Sequence, residues 1–417
     1  MIHNLKELIT ISNSNARHNR SILLEIVDSV LYSLQPDILL KNELKKIDLY
    51  PFKRIAIFSI GKAAKQLANA AKNELSRKPA IICLADIGHP LPTQVGIEKT
   101  DKLVNEAKKL GKDDLAIVLI SGGGSAMFVK PIESVSLEDK INITKKLLLC
   151  GANINEINVI RKHLSQVKGG QLARMLYPAT VLSFVISDVV GNDLGTIASG
   201  PLSPDKSTFF DAINILKKYS IKVPIKINDY LKRGSISKQL ETPKPGDIFF
   251  NNISIKIIAD HIMSANLALK KIKELGLPGD IFATNLSGDC KVTAKQFISA
   301  NKKRGISIAT GETTVAVKGT GYGGRNQEFI LSALLDLKPG QALISIGTDG
   351  IDGICPEPIA GAVGDADILD KAKRNKIDIT KYLKNNDSYN FFKKTNGLIK
   401  TGPTDTNVGD LILLYNE

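Results

Sequence analysis

Apolar positions recur at helical spacing through Ile22, Leu23, Ile26, Val27, Val30, Leu31 and Leu34, which predicts helix across the first forty-odd residues. Downstream the period changes. Short runs of aliphatic and β-branched residues each meet a glycine or polar turn and then a helix-like stretch. Arg54–Ile60 runs into Gly61 and an Ala-rich segment, Ala80–Ala85 into GHPLP, Asp114–Ile120 into Ser121-Gly122-Gly123-Gly124-Ser125, and Val181–Ile186 into Ser187-Asp188. Strands apolar on both faces and alternating with helices predict an α/β protein with a parallel sheet covered on both sides. In such sheets ligands sit beyond the carboxyl ends of the strands, where the glycines and polar residues of this chain collect.

The stretch 232–247, KRGSISKQLETPKPGD, is polar and carries two prolines and two glycines, so a domain boundary is expected there. The expected domains are 1–240 and 248–417. A second α/β series follows: strands at Ile253–Ala259 and Ile281–Asn285, a strand Ile306–Thr310 turning into Gly311-Glu312-Thr313-Thr314, a helix at Asn326–Leu335, and a strand Ala342–Ile346 ending at Gly347-Thr348-Asp349. A chain of 417 residues is too long for one ordinary domain, which agrees with this division.

Composition narrows the function classes. With 43% hydrophobic and 24% charged residues the chain reads as folded and globular. No apolar run approaches the roughly 20 residues that span a bilayer, and MIHNLKELIT lacks the features of a secretory signal; a cytoplasmic protein with no membrane partner is expected. Four scattered cysteines, without a CxxC pair, predict neither a zinc site nor a disulfide framework. The net charge of +14 could suit nucleic acid, but the basic residues are dispersed, aromatics make up only 5% and Trp is absent. No nucleic-acid partner is expected, because base stacking would have little to use.

Several loops could carry chemistry. Three successive glycines in SGGGS (121–125) free backbone N–H groups to approach an anion. A second glycine-rich turn, KGTGYGGRNQE (318–328), sets Arg325 at a helix start, where its fork suits phosphate or carboxylate oxygens. Lys62 lies just after the first strand. Asp188 and Asp349 end strands, with Asp193 and Asp352 nearby; carboxylates so placed can hold Mg²⁺ or accept a hydroxyl proton. For Asp193 an N-cap role competes. The chain has no GxxxxGK[ST] loop, no protein-kinase HRD or DFG set and no GxGxxG fingerprint. The residues alone therefore point to an enzyme handling small anionic, phosphorylated molecules.

Taken in order, GKAA (61–64), GHPLP (88–92), LISGGGSA (119–126), RKHLSQVKGGQLA (161–173), SDVVGND (187–193), IASGP (197–201), GETTV (311–315), GGRNQE (323–328), GTDGIDG (347–353), AGAV (360–363), NDSY (386–389) and TGPTDTN (401–407) resemble the glycerate 2-kinase family, whose C-terminal part is the MOFRL domain. The resemblance implies a larger Rossmann-like, doubly wound N-terminal domain and a smaller α/β C-terminal domain, with the site in the cleft between them. It implies transfer of the γ-phosphoryl group of ATP to D-glycerate, giving 2-phosphoglycerate, with Mg²⁺ required and the protein a monomer or homodimer. The family's reactive lysine falls on Lys62 and its arginine on Arg325. Glu312, Asn326 and Asn407 fall on the nucleotide side, and Asp349 with Asp193 on the metal side. Asp188 is assigned to orient the attacking hydroxyl, and Ser121, Gly122, Gly123, Gly124 and Ser125 to bind an anionic group of substrate or nucleotide. One departure is Gly191-Asn192-Asp193, where relatives often carry Gly-Asp-Asp. Two other readings remain: an NAD(P)H-dependent hydroxypyruvate reductase, disfavoured by the missing dinucleotide fingerprint, and a non-catalytic sensor of sugar acids or nucleotides.

Overall fold

The computed structural model describes residues 1–10 and 14–417; residues 11–13 of the expected N-terminal helix lie outside the described residues. Two compact units result, residues 36–258 and residues 1–35 with 259–417.

The unit 36–258 is built on β1 (Arg54–Ile60), β2 (Ile81–Ala85), β3 (Asp114–Ile120), β4 (Thr180–Ile186) and β5 (Ile253–Ala259). They lie in the order β2-β1-β3-β4-β5, and β1 pairs in parallel with both β2 and β3, as does β3 with β4. Alternate residues of a strand face opposite sides. Ala56, Phe58 and Ile60 of β1 enter one core cluster, while Ile55 and Ile57 are also buried, so both faces of the strand are covered. This is why β1 and β3 read as continuous apolar runs. The helices Leu137–Leu149 and Ile154–His163 each begin with a capping box, Ser136 with Asp139 and Asn153 with Glu156, in which two orphan donors are satisfied reciprocally.

The second unit holds β6 (Gly279–Asp289), β7 (Gly305–Thr314), β8 (Gln341–Gly347), β9 (Gly361–Asp365), β10 (Leu398–Ile399) and β11 (Asp410–Asn416), ordered β10-β9-β8-β11-β7-β6. Only the β6–β7 pair is parallel; β11 runs antiparallel between β7 and β8. β7 does not turn at Gly311 as expected but continues through Thr314. Gly311, with φ of +150°, allows this, because a Cβ there would lie 2.2 Å from the Leu286 carbonyl oxygen on β6.

The units depart from the expected 1–240 and 248–417 division at both ends. The stretch 232–247 belongs to the body of its unit, because its polar groups are internal partners. Glu241 accepts from His163 at 3.1 Å, and Thr242 donates to Asp205 at 3.1 Å. The N-terminal helix Ser14–Ser33 belongs with residues 259–417: Arg20, fully buried, donates to Asp365 at 2.6 and 2.7 Å. Among the described residues, no helix is long and apolar enough to cross a membrane.

Candidate active site

In a sheet of order 2-1-3-4-5, connections leave β1 and β3 in opposite directions, and a crevice opens beyond their carboxyl ends. Lys62 and the SGGGS loop occupy those two ends. The loops are laced together: the Lys62 amide donates to the Gly122 carbonyl at 2.9 Å, and the Ala63 amide to Ser121 Oγ at 3.1 Å. Gly61 takes φ of +112°, and a Cβ on it would sit 2.4 Å from the Ser121 carbonyl oxygen, so only glycine allows this approach. A Cβ on Gly123 would lie 3.1 Å from both Lys62 Cγ and His89 Cδ2, which places these two side chains against the glycine run. Among the described residues, the amide N–H groups of Gly122, Gly123, Gly124 and Ser125 donate to no protein acceptor. An exposed lysine beside successive donor groups is a cradle suited to an anion.

At the end of β4, Asp188 is half-buried. Asp193 is exposed and used within its own loop: it accepts from the Gly195 amide at 3.3 Å and from Thr196 Oγ1 at 2.5 Å. These are the bonds of a capping residue, the role that competed with metal binding in the sequence.

The second unit holds its own cluster of candidate residues, centred on one that sequence reasoning missed. Asp410, the first residue of β11, pairs in register with Gly311 of β7 and Gly347 of β8. It is 1% exposed and accepts from Arg325 Nε at 2.9 and 3.1 Å, and from Asn326 Nδ2 at 2.9 Å. Glu312 holds Arg325 Nη1 at 3.1 Å from the other side. Burial alone would lower the Arg325 pKa, but Asp410 and Glu312 outweigh it and hold the guanidinium firmly charged. Its Nη2 donates to none of the described residues, and the side chain as a whole is 28% exposed.

Asn326, expected beside a nucleotide, is instead 1% exposed and fully engaged inside the protein. Its Oδ1 accepts from Ser345 at 2.6 Å, and its Nδ2 donates to Asp410 and Asp352. It braces Asp410. Asp352 likewise faces inward, accepting from the Asn326 and Gln327 amides at 3.0 and 2.9 Å. It caps the helix Arg325–Ala333 from a distant loop, because Gly324 at the N-cap has no side chain; a Cβ on Gly324 would lie 2.4 Å from Asp352. Burial, the dominant cause, with added repulsion from Asp410, pushes the Asp352 pKa up to about 6 against the helix amides.

The remaining expected residues are brought near by loops. Thr348 donates from its amide and hydroxyl to the Gly409 carbonyl at 3.0 and 2.7 Å, and the Thr404 amide reaches the Asp349 carbonyl at 3.3 Å. The 401–409 loop therefore lies along the end of β8, with Asp349 and Asn407 both half-buried. No group of three or more His, Cys, Asp or Glu able to hold a metal occurs among the described residues. Magnesium in nucleotide sites takes one or two carboxylates and completes its shell with phosphate oxygens and water. The half-buried Asp349 and the half-exposed Glu312 are hard oxygen donors of the kind such an ion takes.

Residues 22–232 match a family described as a domain of unknown function, DUF4147, and residues 305–410 match the MOFRL family. The chain is 39% identical to the D-glycerate 2-kinase of Thermotoga maritima, over 94% of this chain and 97% of that protein. It is 36% identical to the glycerate 2-kinase of Pyrococcus horikoshii, over 86% and 87% respectively. The crystal structure of the glycerate kinase from Thermotoga maritima matches with a TM-score of 0.83 at 36% identity, covering 95% of this chain and 99% of that one.

Proposed function

The chain belongs to the glycerate kinase family, and from that premise we propose that this phosphotransferase moves the γ-phosphoryl group of ATP to the 2-hydroxyl of D-glycerate. In this reaction the hydroxyl oxygen bonds to the γ-phosphorus, the bond to the β-bridging oxygen breaks, ADP leaves, and the products are ADP and 2-phosphoglycerate. The observation that carries the reading is the cradle at the ends of β1 and β3, where the Lys62 side chain lies against a run of unused backbone donors. Phosphoryl transfer asks a protein chiefly for positioning and for neutralisation of spreading negative charge. Lys62 supplies a cation and the SGGGS loop supplies donors to oxygens of the reactants. Arg325, fixed by Asp410 and Glu312, offers its remaining Nη2 edge to a phosphate or carboxylate oxygen. Asp188 orients the attacking hydroxyl and receives its proton. Mg²⁺, when bound by Asp349 and Glu312, supplies further neutralisation of phosphate charge. Asn407 lines the nucleotide.

The test uses purified protein with ATP, Mg²⁺ and D-glycerate. ADP release that depends on glycerate, and a product consumed by enolase with no mutase added, is the expected result. Lys62→Ala and Arg325→Ala should each lose on the order of 10²-fold in turnover while remaining folded. Glycerate-independent ADP release, or near-normal turnover in both variants, would overturn the assignment.

A further inference from the structure

The RKHLSQVKGGQLA segment contains charges that the kinase chemistry above does not use. Lys168 is fully buried, and among the described residues its Nζ makes one hydrogen bond, a long one of 3.4 Å to the Ala198 carbonyl. Lys140 is 6% exposed, and its Nζ has no hydrogen-bond partner among the described residues. Arg161 is half-buried and makes no hydrogen bond or ion pair among the described residues. Among the described residues no carboxylate pairs with this group; Asp205, which lies beside Lys162 and His163, is taken by those two residues and by Thr242. Buried cations without a counter-charge are unfavourable and persist where a ligand completes them. Burial first, then the charges of Lys140 and Arg161, hold Lys168 well below the usual lysine range; burial and Arg161 bring Lys140 to about 7.

The surroundings add donors. Asn158 lies one helical turn before Arg161, and its buried Nδ2 is unpaired. Its Oδ1 accepts from Ser199 Oγ at 3.1 Å, so Ser199 in turn accepts from Ser125 Oγ at 3.0 Å. This chain leads from the cation cluster to the last residue of the SGGGS loop. Ala198 and Ser199 take φ of +50° and +62°, a left-handed backbone that non-glycine residues rarely adopt. That strained turn presents the Ala198 carbonyl to Lys168, and it packs on the glycine loop, since a Cβ on Gly124 would lie 2.8 Å from Ala198 Cβ.

We propose that Lys140, Arg161, Lys168 and Asn158, with Ser125 at the accessible edge, form a receptor for one small oxyanion, a carboxylate or a phosphoryl group. The receptor requires no turnover, so it stands or falls apart from the kinase assignment. Its two sources differ in shape: a carboxylate would come from a hydroxy acid, a phosphoryl group from nucleotide or product.

Thermal melting and calorimetry on the full chain test it, with D-glycerate, acetate and inorganic phosphate as separate probes in low-salt buffer. The wild type should melt higher with at least one probe. Lys168→Met should melt at or above the wild type without added anion, because an unpaired charge has gone, and should bind that probe at least tenfold more weakly. Loss of the glycerate and acetate response assigns the carboxylate; loss of the phosphate response assigns the phosphoryl group. Should Lys168→Met not fold, Arg161→Gln at the half-buried position must show the same weakening. Unchanged binding of all probes in the folded variants, or no wild-type response to any probe, would overturn the proposal.

Discussion

Replacing Asp410 by Asn tests whether Arg325 is positioned by a buried counter-ion. The carboxylate accepts at both oxygens: Oδ1 from Arg325 Nε and Asn326 Nδ2, Oδ2 from Arg325 Nε and the Thr313 amide at 3.4 Å. Asn keeps one acceptor oxygen and turns an NH₂ group toward a donor. A charge-assisted bond worth about 1.5–3 kcal/mol falls to a neutral one of about 0.5–1.5, and a buried donor is left unsatisfied at about 1–3 kcal/mol. The sum is about 2–4 kcal/mol of lost stability. Glu312 still holds Nη1, but its side chain is 50% exposed, so it restrains the guanidinium weakly. A displacement of about 1 Å costs on the order of 10²-fold in rate. Urea denaturation should therefore show the stability loss, and the enolase-coupled assay should show kcat reduced by roughly 10²-fold with ADP still the product. A variant with normal kcat and normal stability would refute the argument, whereas lost stability with normal kcat would leave Asp410 structural only.

Three further outcomes follow from particular contacts. Asp352 has its pKa raised from 3.8 to about 6, so ionising it inside the fold costs nothing below its ordinary pKa and is fully felt above about 6. At about 1.4 kcal/mol per unit, the wild type should lose about 3 kcal/mol relative to Asp352→Asn between about pH 3 and pH 7; a difference that stays flat with pH in urea titrations would remove this linkage. Asp193→Asn preserves a capping side chain while removing its charge, so the Mg²⁺ concentration for half-maximal rate should stay unchanged there and rise severalfold in Asp349→Asn; a rise in the former would make Asp193 a metal ligand. Gly324→Ala meets no backbone strain, since φ is −147°, but its Cβ would collide with Asp352, and a loss of about 2–4 kcal/mol by denaturation is expected from overpacking plus the lost cap; a neutral effect would mean that Asp352 moves aside freely.

The strand ends of the first sheet were legible because β1 and β3 are buried on both faces and each runs within two residues of a glycine, so periodicity and punctuation agree. The attachment of the N-terminal helix was not. Its apolar stripe announces a helix, but the partner of Arg20 is Asp365, distant in sequence, and nothing local names it. The stretch 232–247 failed for a related reason. Its polarity matches a solvated linker, yet Glu241 and Thr242 are used up by internal partners, and composition cannot distinguish a side chain facing water from one facing a buried histidine.

The same ambiguity governs the site. Sequence position puts Asn326 and Arg325 together at a glycine-rich helix start, and both are donors suited to a phosphate. Burial separates them: Asn326 spends its side chain on Ser345, Asp352 and Asp410, while the Arg325 side chain stays part-exposed with Nη2 unused among the described residues. Asp410 carried a faint signal, an acid between Gly409 and an apolar run, but its importance comes from β11 threading between β7 and β8. Only that non-local pairing turns a strand-start carboxylate into the anchor of the arginine. A residue type at a strand end thus identifies a candidate, and the count of its polar atoms already satisfied by the protein decides whether it can still bind anything else.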